Sequence, residues 1–223
     1  VSVLVISGLL ASFFLLIGSQ SFGQVPDLKV GIYNSFYNFL HNRPIPAQVS
    51  VYYPPADSID PLYHTYTGSM FDYTEDHPYV LASSISIEWD IPVKRRQEIR
   101  RSMWGFYDGK YVYISSRNYT SLPIVLYSRI LGYGRYSYFL GTGDGYKKTA
   151  DAVGTLAGTL SPATYFLLDL ETGDIHRVDP LTVAEILEDY PDLLQQFEED
   201  KKDKKNLLKY IRAYNVLYAQ ELR

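Results

Sequence analysis

Not one cysteine occurs in the 223 residues. Disulfides, thiolate metal ligands and a thiol nucleophile are all excluded, so an exported chain built this way must hold together by packing alone. Charge is missing from the first 26 positions, and no initiator Met and no Lys or Arg stands ahead of the leading apolar run. An excess of basic residues is missing as well: 21 Lys and Arg face 25 Asp and Glu, for a net charge of -4 and a pI near 5.6. Affinity for a phosphate backbone comes from clustered cations, so this balance argues against a dedicated nucleic-acid binder.

Catalytic signatures are scarce too. No G-x-S-x-G elbow occurs. In "GTGDGYKKT" (141–149) a Walker A loop would need Gly where Thr142 and Lys147 stand, and Asp144 lacks the spaced carboxylates of a calcium loop. "LETG" (170–173) places Glu171 where an aspartic protease has Asp, and no second copy completes a dyad. His64, Asp72, Glu75, Asp76 and His77 are suitable metal donors, but their spacing matches no zinc signature. His176 reads as an exposed strand residue. The sequence therefore assigns no catalytic residue, no cofactor and no metal ligand.

What is there begins with the apolar run of "VSVLVISGLLASFFLLIGSQSFGQ". It breaks at Gly18 and Ser19, too soon for a membrane span of about 20 residues, and it suits the hydrophobic region of a signal peptide. Ser21 and Gly23 offer the small residues that a signal peptidase accepts, which sets the expected cleavage before Gln24. The chain as given is expected to start inside its own leader, and the mature part is not expected to span a membrane. A secreted or periplasmic location follows.

Tyrosine is the compositional outlier, at 22 residues against two Trp and two Met. Its ring favours half-buried strands and binding surfaces, and its hydroxyl tolerates an edge position. The patterning agrees. A short helix capped by Asn34 or Ser35 is followed by a strand at 47–53, a long Pro- and Tyr-rich connection at 54–78, and a strand at 79–91 with Ile85, Ile87 and Trp89 on one face.

In "RRSMWGFYDGKYVYISS" (100–116), Asp108-Gly109 between aromatic runs predicts a two-residue hairpin. Phe106 then faces Tyr111, and Trp104 faces Tyr113. Trp104, Phe106, Tyr111 and Tyr113 share one face; Met103, Gly105, Val112 and Ile114 share the other. Both faces are apolar, so core filling is the leading reading of these rings, and a ligand-binding aromatic platform is the second. Further strands are expected at 123–130 and 134–140. A second hairpin at 164–178 turns at Gly173.

The stretch 141–160 reads as a glycine-rich loop, with Gly154 and Gly158 on a packed or interfacial helix between Asp151 and Pro162. Thr182 and Glu185 form a capping box for a helix over 183–189. From Pro191 one helix of about thirty residues, roughly 45 Å, is predicted to run to Glu221 across the charged "EEDKKDKK". The cationic "KRRQEIRR" (94–101) could meet lipid headgroups, phosphorylated glycans or nucleic acid, but a solvated face is the simpler account.

Together these features predict an α+β fold: an antiparallel β-sheet, as a sandwich or partial barrel, followed by C-terminal α-helices. Residues 1–23 are the signal peptide, 24–180 a β-rich domain with one short N-terminal helix, and 181–223 a helical segment. "GIYNSFYNF", "WGFYDGKYVYI", "YFLLDLETGDIHRV" and the closing "LLQQFEEDKKDKKNLLKYIRAYN" resemble uncharacterised secreted proteins of Bacteroidetes-type bacteria. The resemblance implies an envelope or extracellular setting and no catalytic residues. The function expected is a noncatalytic binding or structural role, with a glycan or another envelope protein as partner. The alternative is a hydrolase using Asp72, Asp76 and His77 of the 54–78 loop, and a third reading makes the C-terminal helix an oligomerisation arm.

Overall fold

The computed structural model describes residues 27–52, 79–89, 91–121, 125–142, 147–150, 156–159, 163–200 and 206–222. The leader, the 54–78 loop, Asp144, Asp151 and Gly154 lie outside them. In chain order come β1 (Gly31–Tyr33), α1 (Phe36–Leu40), β2 (Ala47–Val51), β3 (Tyr79–Leu81), a 3-10 turn (Ala82–Ser84) and β4 (Ile85–Trp89). Next are α2 (Val93–Ser102), β5 (Gly105–Tyr107), β6 (Val112–Ser115), a 3-10 turn (Ser116–Asn118), β7 (Leu126–Gly132) and β8 (Tyr136–Thr142). Then follow β9 (Lys147–Ala150), β10 (Leu156–Thr159), β11 (Ala163–Asp169), β12 (Ile175–Arg177), α3 (Pro180–Leu187), α4 (Pro191–Glu199) and α5 (Leu207–Glu221). The fold is α+β, with an antiparallel sheet followed by C-terminal helices.

The main sheet has eight strands in the order β1-β5-β6-β7-β8-β11-β12, with β3 beside the first half of β7. At the join between the halves of β7, Ile130 pairs with Phe139 but Gly132 with Tyr138, so one extra residue is inserted. Such a bulge bends a strand and re-aims its side chains. The ring of Tyr138 lies where a side chain on Gly132 would stand, so a methyl group there would strike it.

Three apolar layers are organised by this sheet. On one face Ile32, Phe106, Tyr113 and Tyr127 meet Val49 of β2, Ile85 of β4 and Ile99 of α2. Ile45 exchanges backbone hydrogen bonds with Ile32 at 3.1 and 2.7 Å, and the Ala82–Ser84 turn links β3 to β4. The β2-β4 pair thus folds over the main sheet at two corners, enclosing a core without closing a barrel. The opposite face packs Tyr33, Val112, Ile114, Ile130, Phe139 and Phe166 against Phe39 of α1 and Trp104. A third layer sets α3, α4 and α5 on Tyr138 and Leu167.

Several expectations need correction. In the β5-β6 hairpin Phe106 pairs with Tyr113 and Tyr107 with Val112, so the turn centres on Gly109 and Lys110 rather than on Asp108 and Gly109. Asp108 closes it: its N–H donates to the Tyr111 carbonyl at 3.3 Å, and its Oδ1 accepts from the N–H groups of Lys110 and Tyr111 at 2.8 and 2.7 Å. Only Gly109 takes a left-handed φ, +99°, which a turn with glycine first requires. Sliding the turn by one moves each partner by two, so Phe106 and Tyr113 still share a face. Trp104 leaves them, because β5 starts only at Gly105; it joins Val112 and Ile114, while Met103 takes the place beside Phe106.

The cap of α3 is Asp179, whose Oδ1 accepts from the N–H groups of Leu181 and Thr182 at 3.0 and 2.9 Å, with Pro180 as the first helical residue. That pair outcompetes the expected box at Thr182, because proline starts a helix without wasting a donor. The long C-terminal helix is two helices. Phe197 and Tyr210 meet edge-on at 5.1 Å, whereas a continuous helix would hold them about 20 Å apart. Folding back lets Leu193 and Phe197 bury their stripe against the stripe of Leu208 and Ile211. Finally, within the segment expected to carry a helix, Leu156–Thr159 is a strand paired antiparallel to β9, with Gly158 opposite Lys148. Glycine and threonine are poor helix formers, and their local preference prevails there.

Other elements form as expected. Ser35 caps α1, accepting from the Asn38 N–H at 3.2 Å. Gly173 takes a φ of +84° in the β11-β12 connection.

Candidate functional site

Of the four candidate rings, Trp104 is 8% exposed and Phe106 and Tyr113 are fully buried. Phe106 stacks on Tyr113 at 4.6 Å and meets Tyr127 edge-on at 5.3 Å. Tyr111 alone keeps part of its surface, and its ring face carries Arg129 at 4.5 Å and Lys110 at 4.9 Å. His176 is exposed on β12. Among the described residues no group of three or more His, Asp or Glu could hold a metal ion.

The excess of tyrosine has a structural outlet beside the C-terminal helices. Tyr136, Tyr190 and Tyr218 surround Tyr214 at centroid distances of 5.3, 5.1 and 6.2 Å. Three of these hydroxyls donate to carboxylates: Tyr190 to Glu221, Tyr214 to Asp189 and Tyr218 to Glu171. Burial, and then the Asp189 carboxylate, hold the Tyr214 hydroxyl well above its ordinary titration range. Beneath them the Arg135 guanidinium, 10% exposed, binds Asp169 and reaches Glu171 at 2.9 Å. Asp169 also accepts from the N–H groups of Glu171 and Thr172. Two ion pairs of one arginine thus tie the β7-β8 connection to the end of β11 and the turn after it. Three tyrosine hydroxyls and the Arg135 guanidinium are thus tied to carboxylates, so the cluster reads as a fastening between the sheet and the C-terminal helices.

A different constellation lies at the mouth of the first core. A cleft of about 90 Å³ is lined by Ala82, Ile85, Ile87, Met103, Val125 and Tyr127, with Arg100 and Arg117 beside them. Ile85, Met103 and Tyr127 form a buried floor, while both arginines are exposed. Each part comes from a different element. Arg100 stands in the last turn of α2, and Arg117 on the 3-10 turn after β6. The Nη1 of Arg117 donates to the Arg101 carbonyl at 2.6 Å, which satisfies one open carbonyl at the end of α2 and anchors the guanidinium.

The electrostatics of the cleft are one-sided. Among the described residues, no acid lines it. Burial pushes the Tyr127 hydroxyl up to about 12, and the charges of Arg117 and Arg100 act against that rise. Both cations therefore reach the same interior point, while Tyr127 keeps its proton at neutral pH. The arrangement can bind an anion beside an apolar group, and it contains no carboxylate to act as a general base.

The cationic run at 94–101 contained one of the two arginines of this site. Arg117 and Tyr127 carry no local signal, since "SSRNYTS" and "VLYSR" read as an ordinary loop and strand.

Comparison with known proteins places most of these elements in one family. The chain belongs to the family of unknown function DUF6563, which matches residues 86–217. That span includes Ile87, Arg100, Met103, Arg117, Val125 and Tyr127 of the cleft. No curated protein and no solved structure matches the chain. Among the described residues, no helix is long and apolar enough to cross a membrane.

Proposed function

We propose that the protein is an exported, noncatalytic binding protein of the cell envelope or extracellular space, and that the Arg100–Arg117 cleft is its binding surface. One observation carries the binding role: two guanidinium groups from separate elements stand over an apolar floor, with no acid among the described lining residues. An apolar cleft with a few convergent polar groups at its mouth is the usual form of a small-ligand site. Export rests on the uncharged, apolar residues 1–23 with Ser21 and Gly23 before Gln24. Glycans and other envelope proteins are the partner classes that such a setting offers.

Two experiments test the two halves. Expression of the chain in a bacterial host behind a Met-Lys-Lys start, which supplies the charged region a leader needs, followed by fractionation and N-terminal sequencing, should yield an exported product beginning at Gln24. A cytoplasmic product that retains residues 1–23 overturns export. A thermal-shift screen of the purified protein against glycans, lipids, peptides and small organic acids should return a ligand, because selective binding to the native state raises Tm. The ligand's effect should vanish in Arg100→Gln/Arg117→Gln. A screen without any hit overturns the binding role.

A further inference from the structure

We infer that the cleft takes a singly charged carboxylate joined to a short aliphatic group, such as a branched-chain acid or a peptide C-terminus ending in an aliphatic residue. This rests on the binding role proposed above and names the ligand. Guanidinium is planar and matches a carboxylate through paired N–H donors, more closely than a point-like ammonium does. Arg117 spends one N–H on the Arg101 carbonyl and makes no other hydrogen bond or ion pair among the described residues, so its remaining donors are uncommitted there while that bond anchors the guanidinium. Arg100 makes none among the described residues.

The head group is limited by what ends beside it. Arg100 and Arg101 occupy the last turn of α2, whose C-terminal carbonyls carry partial negative charge. A phosphate would set its further oxygens beside those carbonyls, and no helix N-terminus is among the described lining elements to cradle it. A single negative charge shared by two guanidiniums suits the site better.

The tail is limited by the floor. Ile85, Ile87, Met103 and Val125 offer only apolar side-chain surface, and a water needs about 10–15 Å³ of such a cavity. A volume of about 90 Å³ then accepts on the order of six non-hydrogen atoms. A chain of fatty-acid length would extend beyond the cleft. Met103 is unbranched and polarizable, so it can adjust to a branched tail.

The test is titration of the full chain, by calorimetry and thermal shift, with isovalerate and with N-acetyl-alanyl-valine. Acetate, isoamyl alcohol, isoamylamine and inorganic phosphate serve as comparisons. A carboxylate with an aliphatic tail should bind at least tenfold more tightly than acetate, the alcohol or phosphate, and the amine should not bind. Arg100→Gln and Arg117→Gln should each weaken binding at least tenfold and flatten its dependence on salt. Both side chains are exposed, so folding survives their loss. Ile87→Thr should weaken the tailed ligands and leave acetate unchanged.

Tighter binding of the peptide than of isovalerate would identify a protein terminus as the natural source, and the reverse order a free acid. Equal affinity for the alcohol, or tighter binding of phosphate, overturns this ligand class while leaving a binding role in place. Hits elsewhere in the broad screen with none of these acids bound do the same. Silence of the whole screen removes the binding role itself.

Discussion

Asn215 should be among the most sensitive polar positions in the protein. It is 7% exposed, near the middle of α5, and its amide spans to the backbone of Tyr136 at the start of β8. Its Oδ1 accepts from the Tyr136 N–H at 2.9 Å, and its Nδ2 donates to the Tyr136 carbonyl at 2.9 Å. The amide therefore has only one orientation that satisfies both bonds. Asn215→Ala removes both partners and leaves a donor and an acceptor open under a helix. Each such group costs about 1–3 kcal/mol, so a loss of about 3 kcal/mol is expected overall.

For a domain of this size that corresponds to a fall in Tm of about 6–12 °C. Urea denaturation followed by circular dichroism should show a lower midpoint with an unchanged slope, since the amount of surface exposed on unfolding stays the same. Asn215→Asp retains the acceptor for the Tyr136 N–H but sets a carboxylate against its carbonyl. It should not restore stability. If Asn215→Ala lies within about 0.5 kcal/mol of the parent, in the range of ordinary surface substitutions, the helix is not fastened to β8 through this amide and the reasoning fails.

Phe106→Ala empties a fully buried site between Tyr113 and Tyr127, and should cost about 3–5 kcal/mol in the same denaturation assay. Asp179→Ala should cost about 0.5–2 kcal/mol by uncapping α3, while Asp179→Asn should recover most of it. Alkaline stability should decline early. Burial raises Tyr119 and Tyr127 from 10.0 to about 12, so the folded chain keeps protons that the unfolded chain gives up. Their contribution is complete below pH 10 and is lost as pH rises toward 12, by about 2–3 kcal/mol for each residue. Phenolate absorbance should therefore show exposed tyrosines ionising near their ordinary value, and a late group appearing together with loss of near-ultraviolet circular dichroism. A single early step for all tyrosines would contradict the burial.

Residues whose neighbours in the chain set their conformation were legible in the sequence. Ser35 caps α1 because a hydroxyl three positions before an amide is in reach whatever the tertiary fold. Ile85, Ile87 and Trp89 share the face toward the first core because strand side chains alternate. The β-hairpin character of "WGFYDGKYVYI" was legible for the same reason.

Its register was not. Asp-Gly announces a turn, but whether Asp108 sits inside it or closes it depends on which pairing buries more rings, and Phe106 on Tyr113 is a tertiary choice. Trp104 likewise leaves its expected face because the strand starts one residue later and Phe36 and Phe39 of α1 receive the indole.

The C-terminal helices show the same division. Each apolar stripe, at Leu193 and Phe197 and at Leu208 and Ile211, was readable from helical spacing. That the chain reverses between them was not, since i,i+4 charge pairs support a straight helix and only the burial of both stripes on Tyr138 and Leu167 rewards the fold-back. The cleft is the extreme case. Arg100 and Arg117 are joined by no motif, and three separate elements bring them beside Tyr127. Local periodicity and turn chemistry act over a few residues, so the sequence alone determined elements and faces. Partners distant in the chain meet only when the sheet and its corners close over a common core, and that step decided the register, the fold-back and the charged mouth of the cleft.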